Sequence, residues 1–255
     1  MDMSVYVAIK YTDCVRLMTD GASWDVDGNL AKVESKVFRA KSLPLAITGR
    51  GHDAITKKLA GTGVKIADKS GSVEIAIEGL AAIFRTMKEQ NTADLDAKDT
   101  HFDLLVAGYT PPRGFFILVA GTNPDDPTPY CFREQSFAAG GPRLGPELAH
   151  TFSKGIPQSD KRFLELRGVE LMEAFRLAGV PDTTTWGTKV PMLGASAGGV
   201  CELTTITRDG AATELLKDYG DPIGEPINPY RHTQNVEYLG NRKEHRISKA
   251  RKRVA

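Results

Sequence analysis

Segments with the pattern of β-strands occur in consecutive groups along this chain, and helical segments separate the groups. Residues 4–10 alternate apolar with other side chains, and residues 14–19 form a second strand-like run after a Tyr-Thr-Asp turn, which indicates a hairpin. Later come "FDLLVAGYT" with "GFFILVAG", and "VCELTTITRDG" with "ATELL" around an Asp-Gly turn. Because strands that alternate singly with helices are typical of parallel sheets, this grouping favours an α+β fold with antiparallel sheets.

Two long helices are predicted between these groups. Residues 73–90 carry apolar side chains at steps of three and four, which is typical of an amphipathic helix, and residues 164–178 show the same spacing. A shorter helical stretch is predicted after Pro146, and short strands are predicted at residues 36–39 and 45–48. The resulting order is strands, helices, strands, helices, strands.

Composition limits the class of protein. The chain has 255 residues, 41% of them hydrophobic, which is enough to bury a core of ordinary size. It has no run of 18 apolar residues and no secretory signal pattern, so we expect a cytoplasmic protein with no membrane span. The three cysteines form no CxxC pair and the five histidines form no HxxxH or HxH set. We therefore expect buried free cysteines, no disulfide framework and no metal site.

The charge is unevenly distributed along the chain. Residues 231–255 contain eight Lys and Arg side chains against two Glu, although the net charge of the whole chain is +1. We divide the chain accordingly into one folded domain, residues 1–229, and a basic C-terminal extension, residues 230–255. A basic tail can contact nucleic acid or an acidic partner, and it can equally be a solvated terminus.

Three polar residues are predicted to meet at one end of the first hairpin. If the turn is centred on Thr12, Ser4 lies opposite Asp20. Lys36 follows Asp20 in the sequence by the same number of residues as Asp20 follows Ser4. A serine hydroxyl becomes a nucleophile when a base takes its proton, a cation stabilises the developing charge, and a carboxylate orients that cation. By itself this set is also common on protein surfaces, so the spacing alone is a weak motif.

The pattern of Ser4, "TDGASW" with Asp20, "VESKVFRA" with Lys36 and then "LAITGRGHDA" resembles the N-terminal part of proteasome β-subunits and their bacterial heat-shock protease relative. These are N-terminal-nucleophile (Ntn) hydrolases. The resemblance continues through "FDLLVAGYTPPRGFFILVAG", "FAAGGPRLG" and "GASAGGVCELTTITRDG", and it covers most of residues 4–220. It implies a four-layer αββα sandwich, in which two antiparallel sheets lie between helical layers.

The resemblance also implies roles for four residues. Ser4 is the expected nucleophile and its freed α-amine the general base; Lys36 supplies positive charge beside Ser4, Asp20 pairs with Lys36, and the Gly49 N–H donates to the oxyanion. An internal Ser4 has an amide nitrogen, so residues 1–3 must be removed, and we expect self-processing before Ser4. The resemblance further implies a ring-like homo-oligomer, an ATP-dependent partner, a peptide or amide substrate and no cofactor.

The chain departs from the family pattern at three supporting positions. Ala139 stands where the family has Ser, and Gly194 and Ala197 stand where it has Asp and Ser, with Ser196 as a candidate substitute for the latter. These groups position the amine of the nucleophile, so their loss concerns catalysis more than fold. Two interpretations stay open: an active peptidase or amidohydrolase, and a catalytically inactive proteasome-like subunit with a structural or assembly role.

A nucleotide-binding alternative comes from "LAITGRGHDAITKKL", which matches a strand, a GxGxxA turn and a helix. The match follows several strands of antiparallel appearance, and the next segment shows no clear βαβ crossover. We therefore expect no dinucleotide site.

Overall fold

The computed structural model describes residues 4–91, 101–123, 126–142, 144, 160–178 and 197–229. These residues form a mixed α/β structure. The strands are β1 Tyr6–Lys10, β2 Val15–Asp20, β3 Ala22–Trp24, β4 Leu30–Val33, β5 Phe38–Arg39, β6 Leu45–Gly51, β7 Phe102–Thr110, β8 Gly114–Gly121, β9 Arg133–Gln135, β10 Phe137–Gly140, β11 Val200–Thr207 and β12 Gly210–Asp218. The helices are α1 Asp53–Ser70, α2 Val73–Asn91 and α3 Phe163–Leu177.

The described strands form three sheets with antiparallel pairing throughout. Sheet I has the order β10-β1-β2-β11-β12, sheet II has the order β5-β6-β7-β8-β9, and sheet III is the hairpin β3-β4. The prediction of an α+β fold with antiparallel sheets is therefore confirmed. The GxGxxA motif begins within β6 and does not belong to a parallel βαβ unit, because β6 pairs antiparallel with both β5 and β7.

The first hairpin forms as predicted, but its register differs by one residue. Tyr6 lies opposite Thr19, so the predicted pairing of Ser4 with Asp20 is wrong. The reason is the turn, where an amide-to-carbonyl hydrogen bond of 2.8 Å closes a loop of only two residues. Ser4 and Asp20 still lie at the same end of sheet I, because β1 begins where β2 ends.

Sheets I and II share an apolar cluster. Leu17 of β2 and Ala8 of β1 belong to it, together with Leu105 of β7 and Ile117 of β8. Each of these side chains is fully buried. Since successive residues of a strand point to opposite faces, the same strands contribute their other side chains to different clusters.

The helices cover apolar side chains on both sheets. Helices α1 and α2 share a cluster with sheet II, in which Leu80 and Phe84 join Leu104. Helix α3 shares a second cluster with sheet I, in which Leu171 joins Met18. The stripe predicted for residues 73–90 is thus the buried face of α2, and the segment predicted at 164–178 is α3.

Helix α1 is not among the two long helices predicted from the sequence, and two glycines, Gly61 and Gly63, lie within it. Gly63 lets the helix approach its neighbours, because a Cβ there would lie 2.6 Å from Ile47 Cδ1 and 2.8 Å from Leu80 Cδ1. The helix ends at Gly71, whose left-handed conformation (φ 68°) allows its N–H to donate to the Ala67 carbonyl.

One of the three cysteines is exposed, which corrects the expectation that all are buried. Cys14 and Cys201 lie in the core, whereas Cys131 is exposed in the turn before β9. In the part of the chain that the structure describes, no helix has the length and apolar character needed to cross a membrane. The helix predicted after Pro146, the basic extension 230–255, and residues 1–3 lie outside the described residues.

Candidate active site

Strand ends bring Ser4, Asp20 and Lys36 together. Ser4 lies just before β1, Asp20 is the last residue of β2, and Lys36 lies between sheet III and β5. The three residues are buried, with exposed fractions of 9%, 0% and 6%. Because these side chains have little contact with solvent, electrostatic contacts among them are stronger than the same contacts on the surface.

The Lys36 ammonium lies at the centre of this cluster. Its Nζ donates to Ser4 Oγ at 2.9 Å and to the two carboxylate oxygens of Asp20 at 3.0 and 3.1 Å. The same Nζ lies 5.2 Å from the ring centroid of Trp24, whose aromatic face attracts a cation. Lys36 therefore links the hydroxyl oxygen to the carboxylate.

The Asp20 carboxylate is held by backbone donors as well. Oδ1 accepts from the Val5 N–H at 2.9 Å, and Oδ2 accepts from the N–H groups of Ala22 at 3.2 Å and Gly198 at 3.4 Å. Burial raises the pKa of the Asp20 carboxyl, while the Lys36 ammonium and the N–H donors act in the opposite direction. These contacts fix both oxygens and with them the position of Lys36.

Gly49 lines the same cleft as Ser4 and Lys36. It lies in β6, where a Cβ would come 2.7 Å from the Asp103 carbonyl oxygen and 3.0 Å from Thr56 Cγ2. The position thus requires glycine because α1 and β7 both approach the backbone closely. The oxyanion role of its N–H stays a prediction.

A second lysine, which the sequence reasoning missed, also lines the cleft. Lys57 of α1 forms ion pairs with Asp53, one helical turn before it, and with Glu34, which also accepts from Lys32 at 2.9 Å. Burial opposes ionisation of Glu34, but the lysine contacts outweigh it and hold the pKa of that carboxyl below its usual value. The i, i+4 spacing of Asp53 and Lys57 was the available signal, whereas Glu34 comes from a distant segment.

The supporting positions of the family pattern are only partly described. Ala139 lies in β10 opposite Val7, and Ala197 is fully buried just before β11. Neither has a hydroxyl group. Gly194 and Ser196 lie outside the described residues.

Comparison with known proteins gives no matching family model and no matching curated relative. Among the residues that the structure describes, no group of three or more His, Cys, Asp or Glu side chains is arranged to hold a metal ion. The chemistry of the site is therefore inferred from the contacts of Ser4, Asp20 and Lys36. These contacts suit a nucleophile hydroxyl beside a fixed positive charge.

Proposed function

We propose that this protein is an Ntn hydrolase that cleaves peptide or amide bonds, with Ser4 as its nucleophile after removal of residues 1–3. The observation that carries the proposal is the buried contact of Lys36 Nζ with Ser4 Oγ and both oxygens of Asp20. Burying an ion pair costs several kcal/mol per ion, which is on the order of the attraction that offsets this cost. Stability alone therefore does not explain the buried pair, and its contact with the Ser4 hydroxyl supports a catalytic role.

The proposed reaction begins with proton transfer from the Ser4 hydroxyl to the freed α-amine of the same residue. An α-amine has a pKa of about 8, which suits a base that works near neutral pH. Oγ then bonds to the substrate carbonyl carbon, and the Gly49 N–H donates to the oxyanion. The carbon–nitrogen bond of the substrate then breaks, the leaving amine takes the proton from the α-ammonium, and an acyl-ester on Ser4 remains. Water hydrolyses this ester and restores the hydroxyl.

Lys36 acts in this scheme through the positive charge of its ammonium group and does not take the proton of Ser4. Its ammonium lies 2.9 Å from Ser4 Oγ and stabilises negative charge that develops on that oxygen. Asp20 holds the ammonium in place and is itself held by Val5 and Ala22. Lys36 therefore lowers the cost of deprotonating Ser4, while the α-amine accepts the proton.

We also propose that the layers form the four-layer αββα sandwich of Ntn hydrolases. The apolar cluster shared by sheets I and II supports this arrangement. So do the separate clusters in which α1 and α2 cover sheet II and α3 covers sheet I. Assembly into a ring and the use of an ATP-dependent partner rest on the sequence resemblance alone.

The second candidate is a catalytically inactive subunit of the same fold, which serves in assembly. Ala139 and Ala197 favour it, because they lack hydroxyls where the family pattern has Ser. In that case the ion pair of Asp20 and Lys36 has a structural role only. The two candidates differ in whether Ser4 reacts with an electrophile.

The experiment is treatment of the purified full chain with a β-lactone and with a panel of fluorogenic peptide amides. We expect an acyl adduct on Ser4 by tandem mass spectrometry, and hydrolysis that Ser4→Ala abolishes. The matched control is Ser70→Ala, at the exposed end of α1, which keeps both activities. A folded chain that starts at Ser4, forms no adduct and cleaves no amide would support the assembly subunit instead.

A further inference from the structure

A second buried ion pair lies behind the candidate site. Arg176 of α3 donates to Asp221 through Nη1 at 2.7 Å and Nη2 at 2.9 Å, and the two side chains are 2% and 1% exposed. The Arg176 guanidinium also stacks 4.0 Å from the ring centroid of Tyr219. The pair is bidentate, which fixes the orientation of both groups.

This pair holds the short segment of residues 197–199 that precedes β11. Arg176 Nη1 donates to the Ala197 carbonyl at 3.3 Å, and Asp221 Oδ2 accepts from the Gly199 N–H at 2.8 Å. Between them, a Cβ at Gly198 would lie 2.8 Å from Asp221 Oδ2 and 2.9 Å from Arg176 Nη1. The segment is thus clamped against the ion pair at three consecutive residues.

The other side of the segment faces the candidate site. The Gly198 N–H donates to Asp20 Oδ2 at 3.4 Å, and the Gly198 carbonyl accepts from the Gly21 N–H at 3.1 Å. Asp20 in turn holds Lys36, which contacts Ser4. A continuous chain of buried polar contacts therefore runs from the ion pair to the Ser4 hydroxyl.

We infer that Arg176 and Asp221 are positioning residues, which fix the Ala197–Gly199 segment so that Gly198 orients the Asp20 carboxylate. The effect on catalysis rests on the proposed function, whereas the effect on Asp20 does not. Neither residue touches the reacting groups in the described contacts. A purely structural pair would stabilise the fold without changing the local order around Asp20.

The test is amide hydrogen exchange followed by NMR on the full chain, with a double variant that removes both charges. Arg176→Met/Asp221→Leu keeps similar side-chain volumes, and apolar replacement of a whole buried pair is often neutral for stability. We expect exchange at Gly198 to rise at least tenfold relative to Ala107, a core amide of β7. Where the site is active, kcat falls about tenfold and KM changes less than twofold, because Asp20 positions a charge that acts in the transition state.

The matched control is Arg16→Met/Glu165→Met. These two residues also form an ion pair between α3 and a strand of sheet I, and the described contacts of Arg16 and Glu165 do not include residues 197–199, Arg176, Asp221 or Tyr219. The control should leave Gly198 exchange and kcat unchanged. If the double variant fails to fold, Arg176→Lys retains the charge and loses the bidentate contact, and a threefold rise at Gly198 is then expected.

Unchanged Gly198 exchange in a folded Arg176→Met/Asp221→Leu protein overturns the inference, and so does a rise that is equal at Gly198 and Ala107. Exchange decides this question even if the parent protein hydrolyses no amide. A parent protein without activity therefore counts against the proposed function alone.

Discussion

Replacing Lys36 with methionine removes the central cation of the site while keeping most of the side-chain volume. At 3.0 Å from Asp20, with an effective dielectric constant of about 20, the lost attraction is about 5–6 kcal/mol. The N–H donors of Val5, Ala22 and Gly198 remain and limit the loss. We therefore expect Lys36→Met to lower the free energy of unfolding by about 3–5 kcal/mol, the usual cost of breaking a buried pair.

This cost also depends on pH in a defined direction. Without the cation, burial raises the pKa of folded Asp20 further above that of the unfolded chain, which is about 3.9. A group with a raised folded pKa contributes stability below the unfolded pKa and loses it as pH rises through the folded pKa. The deficit of Lys36→Met is therefore largest near pH 7 and shrinks toward about pH 4.

The assay is thermal and urea unfolding at both pH values. A loss of 3–5 kcal/mol corresponds to a fall in Tm of about 6–20 °C for a chain of this size. Lys161→Met removes an exposed ion pair with Asp13 and should leave Tm unchanged. A Lys36→Met protein with wild-type stability at pH 7 would refute the assignment of a buried, interacting pair.

Three further predictions concern the reaction. Ser4→Ala should retain residues 1–3, because the hydroxyl is needed for self-processing, and intact mass would detect them. A variant that has lost residues 1–3, or a wild-type chain that still carries them, would contradict this prediction. Gly49→Ala should lower the free energy of unfolding by about 1–3 kcal/mol, because the new Cβ meets Asp103 and Thr56. The same variant should lower kcat about 10–100-fold by displacing the Gly49 N–H, and wild-type kinetics would exclude the oxyanion role of that N–H. In the processed protein, kcat/KM should rise about tenfold per pH unit below pH 8 and then level off, and a rate that is flat from pH 6 to 9 would exclude the α-amine as base.

The sequence predicted the elements whose periodicity is regular. The alternation in β1 and the spacing of Leu80 and Phe84 identified a strand and a helix, because burial of one face imposes these periods. The register of the first hairpin was missed, since the number of residues in a turn is not visible in the alternation. Sheet III was also missed, because a strand as short as Ala22–Trp24 has no detectable period.

The site was predictable in part, and only with the help of a family pattern. Ser4, Asp20 and Lys36 stand at spacings that the resemblance highlights, and the structure brings their side chains within hydrogen-bonding distance. The contact of Arg176 with Asp221 joins residues 45 positions apart, and no local spacing signals such a pair. Long-range polar contacts of this kind depend on how the layers pack, which sequence periodicity does not specify.

The most direct measurement is intact mass with N-terminal sequencing of the purified protein. We predict a chain that begins at Ser4, because only then does the nucleophile have the free α-amine that accepts its proton. A chain that still begins at Met1 or Asp2 would contradict the hydrolase mechanism, and the inactive assembly subunit would then be the better explanation of the buried contact between Lys36 and Ser4.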